Sequence, residues 1–142
     1  MTRVMAVGVF DILHVGHLHY LSQARALGDE LVVVVATDAS VRRRKRAPIL
    51  PQELRARLVG ALRMVDRTVV GHEGDQYKTV EEVRPDVIAL GHDDGHSEAA
   101  VEAECRRRGL EVRVMRIDPL EHDLAGTRRI ISRILEREGG GA

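Results

Sequence analysis

Five consecutive apolar residues, Leu31-Val32-Val33-Val34-Val35, constrain this chain more than any other stretch. A strand with one wet face alternates apolar and polar residues. An unbroken β-branched run has both faces covered, as in a parallel sheet sandwiched by helices. The flanking chain agrees. Val4 to Val7 reads as a first strand, Val69-Val70 as a third, Asp86 to Leu90 as a fourth and Glu111 to Ile117 as a fifth. Between them the spacing predicts helices over 18–27, onward from Pro51, over 77–83, from a Ser97 cap to Arg108, and over about 128–138. The expected inward stripes are Leu18, Leu21 and Leu27, then Leu54, Leu58, Ala61, Leu62 and Val65. Val101 and Cys105 follow, then Ile130, Ile131, Ile134 and Leu135. Strands alternating with helices predict an α/β chain with a doubly wound five-stranded parallel sheet. Residues 1–138 are expected to form one domain and 139–142 a flexible tail.

Composition narrows the class. A chain of 142 residues forms one domain that buries roughly two-thirds of its unfolded surface. Its aromatics are Phe10, Tyr20 and Tyr77, so the core must be aliphatic. A formal net charge of zero argues against a general nucleic-acid binder. Cys105, the single cysteine, excludes an intramolecular disulfide and is expected to be a buried thiol. No apolar run approaches the roughly 18 residues of a membrane span. Met1-Thr2-Arg3 opens directly into a strand, so no signal peptide is expected. The expectation is a cytoplasmic protein with no membrane or nucleic-acid partner.

Ligands of doubly wound sheets bind at strand carboxyl ends, near the point where strand order reverses. Gly8-Val9-Phe10-Asp11-Ile12-Leu13-His14-Val15-Gly16-His17 follows the first strand and leads into a helix. Free backbone N–H groups and the helix dipole favour an anion there. His14 and His17 can each donate a hydrogen bond to a phosphate oxygen, and Gly16 removes a side chain where a ligand comes close. The alternatives are polar residues capping a turn, or a metal set with His19, whose ring diverges from that of His17 on a helix. Asp11 is a candidate metal or substrate ligand, or a turn residue satisfying backbone amides. Arg42-Arg43-Arg44-Lys45-Arg46 reads as a solvated loop or as a mobile flap over a triphosphate, and Arg43 to Arg46 are the candidates. Gly91-His92-Asp93-Asp94 ends the fourth strand, which should adjoin the histidines, unless it is only a polar loop. The dinucleotide fingerprint and the Walker lysine are both absent. These residues suit phosphoryl or nucleotidyl transfer, which need alignment and charge stabilisation more than covalent help. Magnesium or another divalent cation is expected to balance the triphosphate, held through water by Asp11 or Asp93.

Phe10-Asp11, His14, Gly16 and His17 match the G-x-F-D-x-x-H-x-G-H signature of the cytidylyltransferase-like nucleotidyltransferases, a Rossmann-like fold. The chain also resembles the archaeal FAD synthases. The segments that carry this are Gly28 to Ala36, Pro48 to Pro51, Val65-Asp66, Gly71, Gly74-Asp75, Pro85 to Gly91 and Arg108 to Val112. That resemblance implies transfer of AMP from ATP to FMN, giving FAD and pyrophosphate. It further implies nucleotide contacts from Val9, Phe10, His14, Val15, Gly16 and His17, with His14 and His17 catalytic. Asp93 would lie in the nucleotide site, and Thr127 would hold the triphosphate at the start of the last helix. Small domains of this type often form homodimers. Three departures stand out. The expected cysteine pair is missing from Asp118 to Ala125, and a Ser/Thr-rich motif is reduced to Gly126-Thr127-Arg128. Gly91-His92-Asp93 resembles the glycerol-3-phosphate cytidylyltransferases, which makes CTP with a small phosphate ester the alternative pairing. A nucleotide-binding sensor on the same fold is the non-enzyme alternative.

Overall fold

The computed structural model describes residues 1–44 and 46–140. Along the chain run β1 (Arg3–Gly8), α1 (Val15–Arg25), β2 (Glu30–Val35), α2 (Asp38–Arg44), α3 (Gln52–Gly60) and β3 (Arg67–Val70). Then come α4 (Tyr77–Val83), β4 (Val87–Leu90), α5 (Glu98–Arg107), β5 (Arg113–Arg116) and α6 (Thr127–Gly140). The five strands form one parallel sheet in the order β3-β2-β1-β4-β5, a single-domain Rossmann-like architecture. Strand order reverses between β1 and β4, where Val4, Met5 and Ala6 pair with Val87, Ile88 and Ala89.

The valine run explains the layers. Leu31 to Val35 are all buried, with alternate residues in different cores. Leu31, Val33 and Val35 pack with Val4, Ala6, Leu21, Ala24 and Val59 on one face. Val32 and Val34 pack with Met5, Val80, Val83, Val101 and Cys105 on the other. Cys105 is a buried free thiol, as expected. Ser97 caps α5 by accepting from the Ala100 N–H, and Gly109 (φ 79°) ends that segment in the left-handed region. No helix among the described residues is long and apolar enough to cross a membrane.

Several boundaries and faces differ from the sequence reading. Helix α1 begins at Val15, and its buried residues are Leu21 and Ala24, while Leu18 is exposed. Arg42, Arg43 and Arg44 lie in the last turn of α2, not in a loop. Arginine is a good helix former, and cations near a helix C-terminus meet the negative end of its dipole. Lys45 lies outside the described residues, and Arg46 is exposed beyond the helix. Helix α3 turns Arg55 and Val59 inward and leaves Leu54 and Leu58 45% and 46% exposed. Helix α6 runs to Gly140, two residues past the expected end, and carries Ile134 and Leu135 outward. Of the expected tail, 141–142 lie outside the described residues.

Candidate active site

The signature loop is a strained turn locked from several sides. Phe10 (φ 56°) and Ile12 (φ 60°) both sit in the left-handed region, which costs side-chain-bearing residues on the order of 1–3 kcal/mol each. The first reversal folds the Phe10 ring back over β1. A Cβ on Gly8 would lie 2.7 Å from that ring, so only glycine fits there. The ring itself is buried, meets His17 edge-on at 5.2 Å and lies parallel to Tyr20 at 6.5 Å. Asp11, between the two strained residues, accepts from the N–H groups of Ile49 (2.7 Å) and Leu50 (3.0 Å). Of its two sequence readings, satisfaction of backbone amides is the one the geometry displays, across 38 residues rather than within its own turn. The Asp11 carbonyl accepts from the Thr127 hydroxyl at 2.6 Å, which ties the start of α6 to the same turn.

The two histidines form a reciprocal cap on α1. His14 Nδ1 accepts from the Gly16 N–H at 3.1 Å, and His17 Nδ1 accepts from the His14 N–H at 3.2 Å. An Nδ1 that accepts carries no proton, so both rings are Nε2–H tautomers. The rings stack with centroids 3.7 Å apart. Burial holds His14 below the ordinary imidazole value. Burial and the neighbouring His14 bring His17 down to about 4, against an opposing pull from Asp93 and Asp11. Near neutral pH the pair presents two uncharged donors. A Cβ on Gly16 would come within 2.9 Å of the His14 ring and 3.4 Å of Ala125, so glycine is required for the cap to close.

Beneath this cap, Tyr20 spans the reversal of strand order. Its buried hydroxyl accepts from the Val7 N–H of β1 at 3.1 Å and donates to the Ala89 carbonyl of β4. Burial raises its pKa, so it stays protonated. Beside it, Arg116 organises the loop after β4, donating to the carbonyls of Gly91, Asp94 and His96 and to Glu98. The loop thus adjoins the histidines as expected, with Asp93 exposed on it. Val9 and Val15 flank the turn, Val15 exposed. His19 points elsewhere, its Nε2 within 3.0 Å of the Asp118 carbonyl. Among the described residues, no three His, Cys, Asp or Glu side chains converge to hold a metal.

Arg43 and Arg44 lie in the last turn of α2, the helix that follows β2. With Ser40, Gly74 and Gln76 they line a cavity of about 240 Å³ between α2 and the β3–α4 loop. The residue that sequence reasoning missed is Arg55. It is completely buried, and its guanidinium donates to the carbonyls of Leu50 (2.9 Å) and Val9 (2.8 Å) and to Asp38 (2.6 Å). Burial, the largest single influence, raises the Asp38 pKa, but the Arg55 bond, a backbone bond at Gln52 and the charges of Arg55 and Arg42 together outweigh it and the net direction is downward.

Known proteins resemble this chain along most of its length. The cytidylyltransferase-like family profile matches residues 5–132. The FAD synthase of Aciduliprofundum boonei is 54% identical over 96% of this chain and 93% of its own. That of Thermoplasma volcanium is 45% identical over 98% of each chain. A crystal structure described as the lipopolysaccharide core biosynthesis protein of Thermoplasma volcanium has 49% identity and a TM-score of 0.84, covering 85% of this chain and 99% of that one.

Proposed function

The chain belongs to the cytidylyltransferase-like family, and on that premise we propose that it is an FMN adenylyltransferase, transferring AMP from ATP to FMN to form FAD and pyrophosphate. The observation that carries the transfer chemistry is the stacked pair of neutral Nε2–H imidazoles at the start of α1. The substrates follow from the FAD synthase relatives.

In this proposal an FMN phosphate oxygen attacks the α-phosphorus of ATP. A P–O bond forms to the acceptor, and the bond to the bridging oxygen of the β-phosphate breaks in line. His14 and His17 donate from Nε2 to the α-phosphate oxygens as charge builds. Their geometry is fixed beforehand by the two backbone donors, so little reorganisation accompanies the step. The Gly16 amide is taken by the His14 cap, so α1 adds to the same field through its dipole. Val9, Phe10, Val15 and Gly16 shape the nucleotide pocket, with Phe10 acting through its backbone because its ring is buried. Thr127 places the start of α6 against the triphosphate, and Arg43 and Arg44 draw in its outer phosphates. Asp93 lies where it electrostatically supports His17. The donor set fits magnesium, which keeps several waters and binds through substrate phosphates with one or two carboxylates. Asp93 would hold it through water, and the ion would neutralise phosphate charge. Cytoplasmic location and a homodimer belong to the same reading, with the outward Ile134 and Leu135 of α6 as available apolar surface.

A mass-resolved product assay tests the proposal. Protein and magnesium are offered ATP or CTP with FMN or glycerol-3-phosphate in the four pairings. FAD from ATP and FMN alone is expected. CDP-glycerol would instead assign the chemistry suggested by Gly91-His92-Asp93. Bound nucleotide without any product would assign a sensor.

A further inference from the structure

We propose that Arg55 is a positioning residue for the transfer, holding the strained turn that aims His14 and His17 while touching no substrate itself. Its link to turnover rests on the adenylyl transfer proposed above. Helix α3 could bury an aliphatic residue at this position, as it does at Val59, without desolvating a charge. Instead it buries a guanidinium whose three nitrogens reach three separate segments. Nη1 donates to the carbonyl of Val9, the residue immediately before the reversed Phe10. Nη2 donates to Asp38, the first residue of α2, and Nε donates to the carbonyl of Leu50. The Leu50 peptide is also used in the opposite direction, because its N–H and that of Ile49 bind the Asp11 carboxylate. Asp38 is itself steadied by donating its N–H to the Gln52 side chain at 2.8 Å. The turn over 9–12 and the loop over 49–52 are therefore braced by two clamps facing opposite ways.

This pattern explains why the fork shape of arginine matters. A guanidinium fixes three acceptors in one plane. A lysine ammonium is a compact point charge that cannot hold the same three directions from the same stem. Loosening the Val9 carbonyl frees Phe10, whose ring supports His17. A displacement of about 1 Å in a reacting group costs on the order of 100-fold in rate.

The test uses Arg55→Lys and Asp38→Asn, each first confirmed folded by urea unfolding. Two readouts follow: the kcat and KM split with ATP and FMN, and the nitrogen NMR signals of the His14 and His17 rings without substrate. Expected is a fall in kcat of about 100-fold for Arg55→Lys, with KM for ATP within threefold and the Nε2–H tautomer signals shifted or averaged. Asp38→Asn, which keeps an oxygen for Nη2 but removes the negative charge of that acceptor, should fall between this variant and the wild type. Should Arg55→Lys fail to fold, Asp38→Asn decides alone. A folded variant with wild-type kcat and unmoved ring signals would overturn the proposal, assigning Arg55 to stability only. The ring signals are read without substrate. Failure of the wild type to make FAD would therefore remove the assigned reaction, and the rings alone would still decide whether Arg55 positions them.

Discussion

Acidification should cost this protein stability through His17. The imidazole titrates at its ordinary 6.5 when the chain is unfolded and at about 4 when folded, because burial and the stacked His14 disfavour its charge. Above pH 6.5 both states carry the neutral ring, and the folded state has no penalty. As pH falls below 6.5 the unfolded chain takes up a proton that the folded protein refuses until about pH 4. The gap corresponds to about 3 kcal/mol when fully developed, of which about 2 kcal/mol has been lost by pH 5. That is a measurable part of a domain stability of about 5–15 kcal/mol. Urea unfolding of the wild type and His17→Gln at constant ionic strength, from pH 7 to pH 4.5, isolates the effect. Carboxylates elsewhere titrate in both proteins and cancel in the difference. The stability of the wild type relative to the variant should fall by about 2 kcal/mol between pH 7 and pH 5. A difference that stays constant with pH would refute the reasoning, because His17 would then titrate alike in both states.

Three further outcomes follow from the same geometry. Gly16→Ala should push the His14 ring aside by placing a methyl group 2.9 Å from it, lowering turnover about 100-fold while the melting temperature barely moves. Tyr20→Phe removes the hydroxyl shared by the Val7 N–H and the Ala89 carbonyl, and urea unfolding should show a loss of about 1–3 kcal/mol. Replacing Arg43 and Arg44 together with glutamine should raise the KM for ATP about fivefold with little change in kcat, at roughly 0.5 kcal/mol per exposed charge interaction. An unchanged KM would make them a solvated helix face.

The parts of this fold that could be read from the sequence are those fixed by local chemistry. Leu31 to Val35 announced a sheet covered on both sides because β-branched residues without alternation have few other places to go. Ser97 and Gly109 marked the ends of α5 through capping geometry that depends only on near neighbours. The signature was expected at a strand-to-helix turn and lies at one, but α1 starts at Val15 rather than Leu18, and the cap and its tautomers depend on which backbone N–H each ring meets. Helix α3 was misread because Leu54 and Leu58 repeat at the right spacing, whereas the partners that draw Arg55 inside come from distant segments such as Val9. Periodicity identified the apolar side of α6 but not whether anything covers it, and Ile134 and Leu135 remain outside. The arginine run suggested a loop because its mutual repulsion was weighed without the helix dipole that accommodates Arg42 to Arg44.

Single-turnover formation of FAD from ATP and FMN in His14→Gln and His17→Gln tests the paired-donor mechanism most directly. Each folded variant should bind ATP with near wild-type affinity and form product at least about 100-fold more slowly. Product formation at the wild-type rate in either variant would contradict a role for that imidazole in stabilising the transferring phosphate.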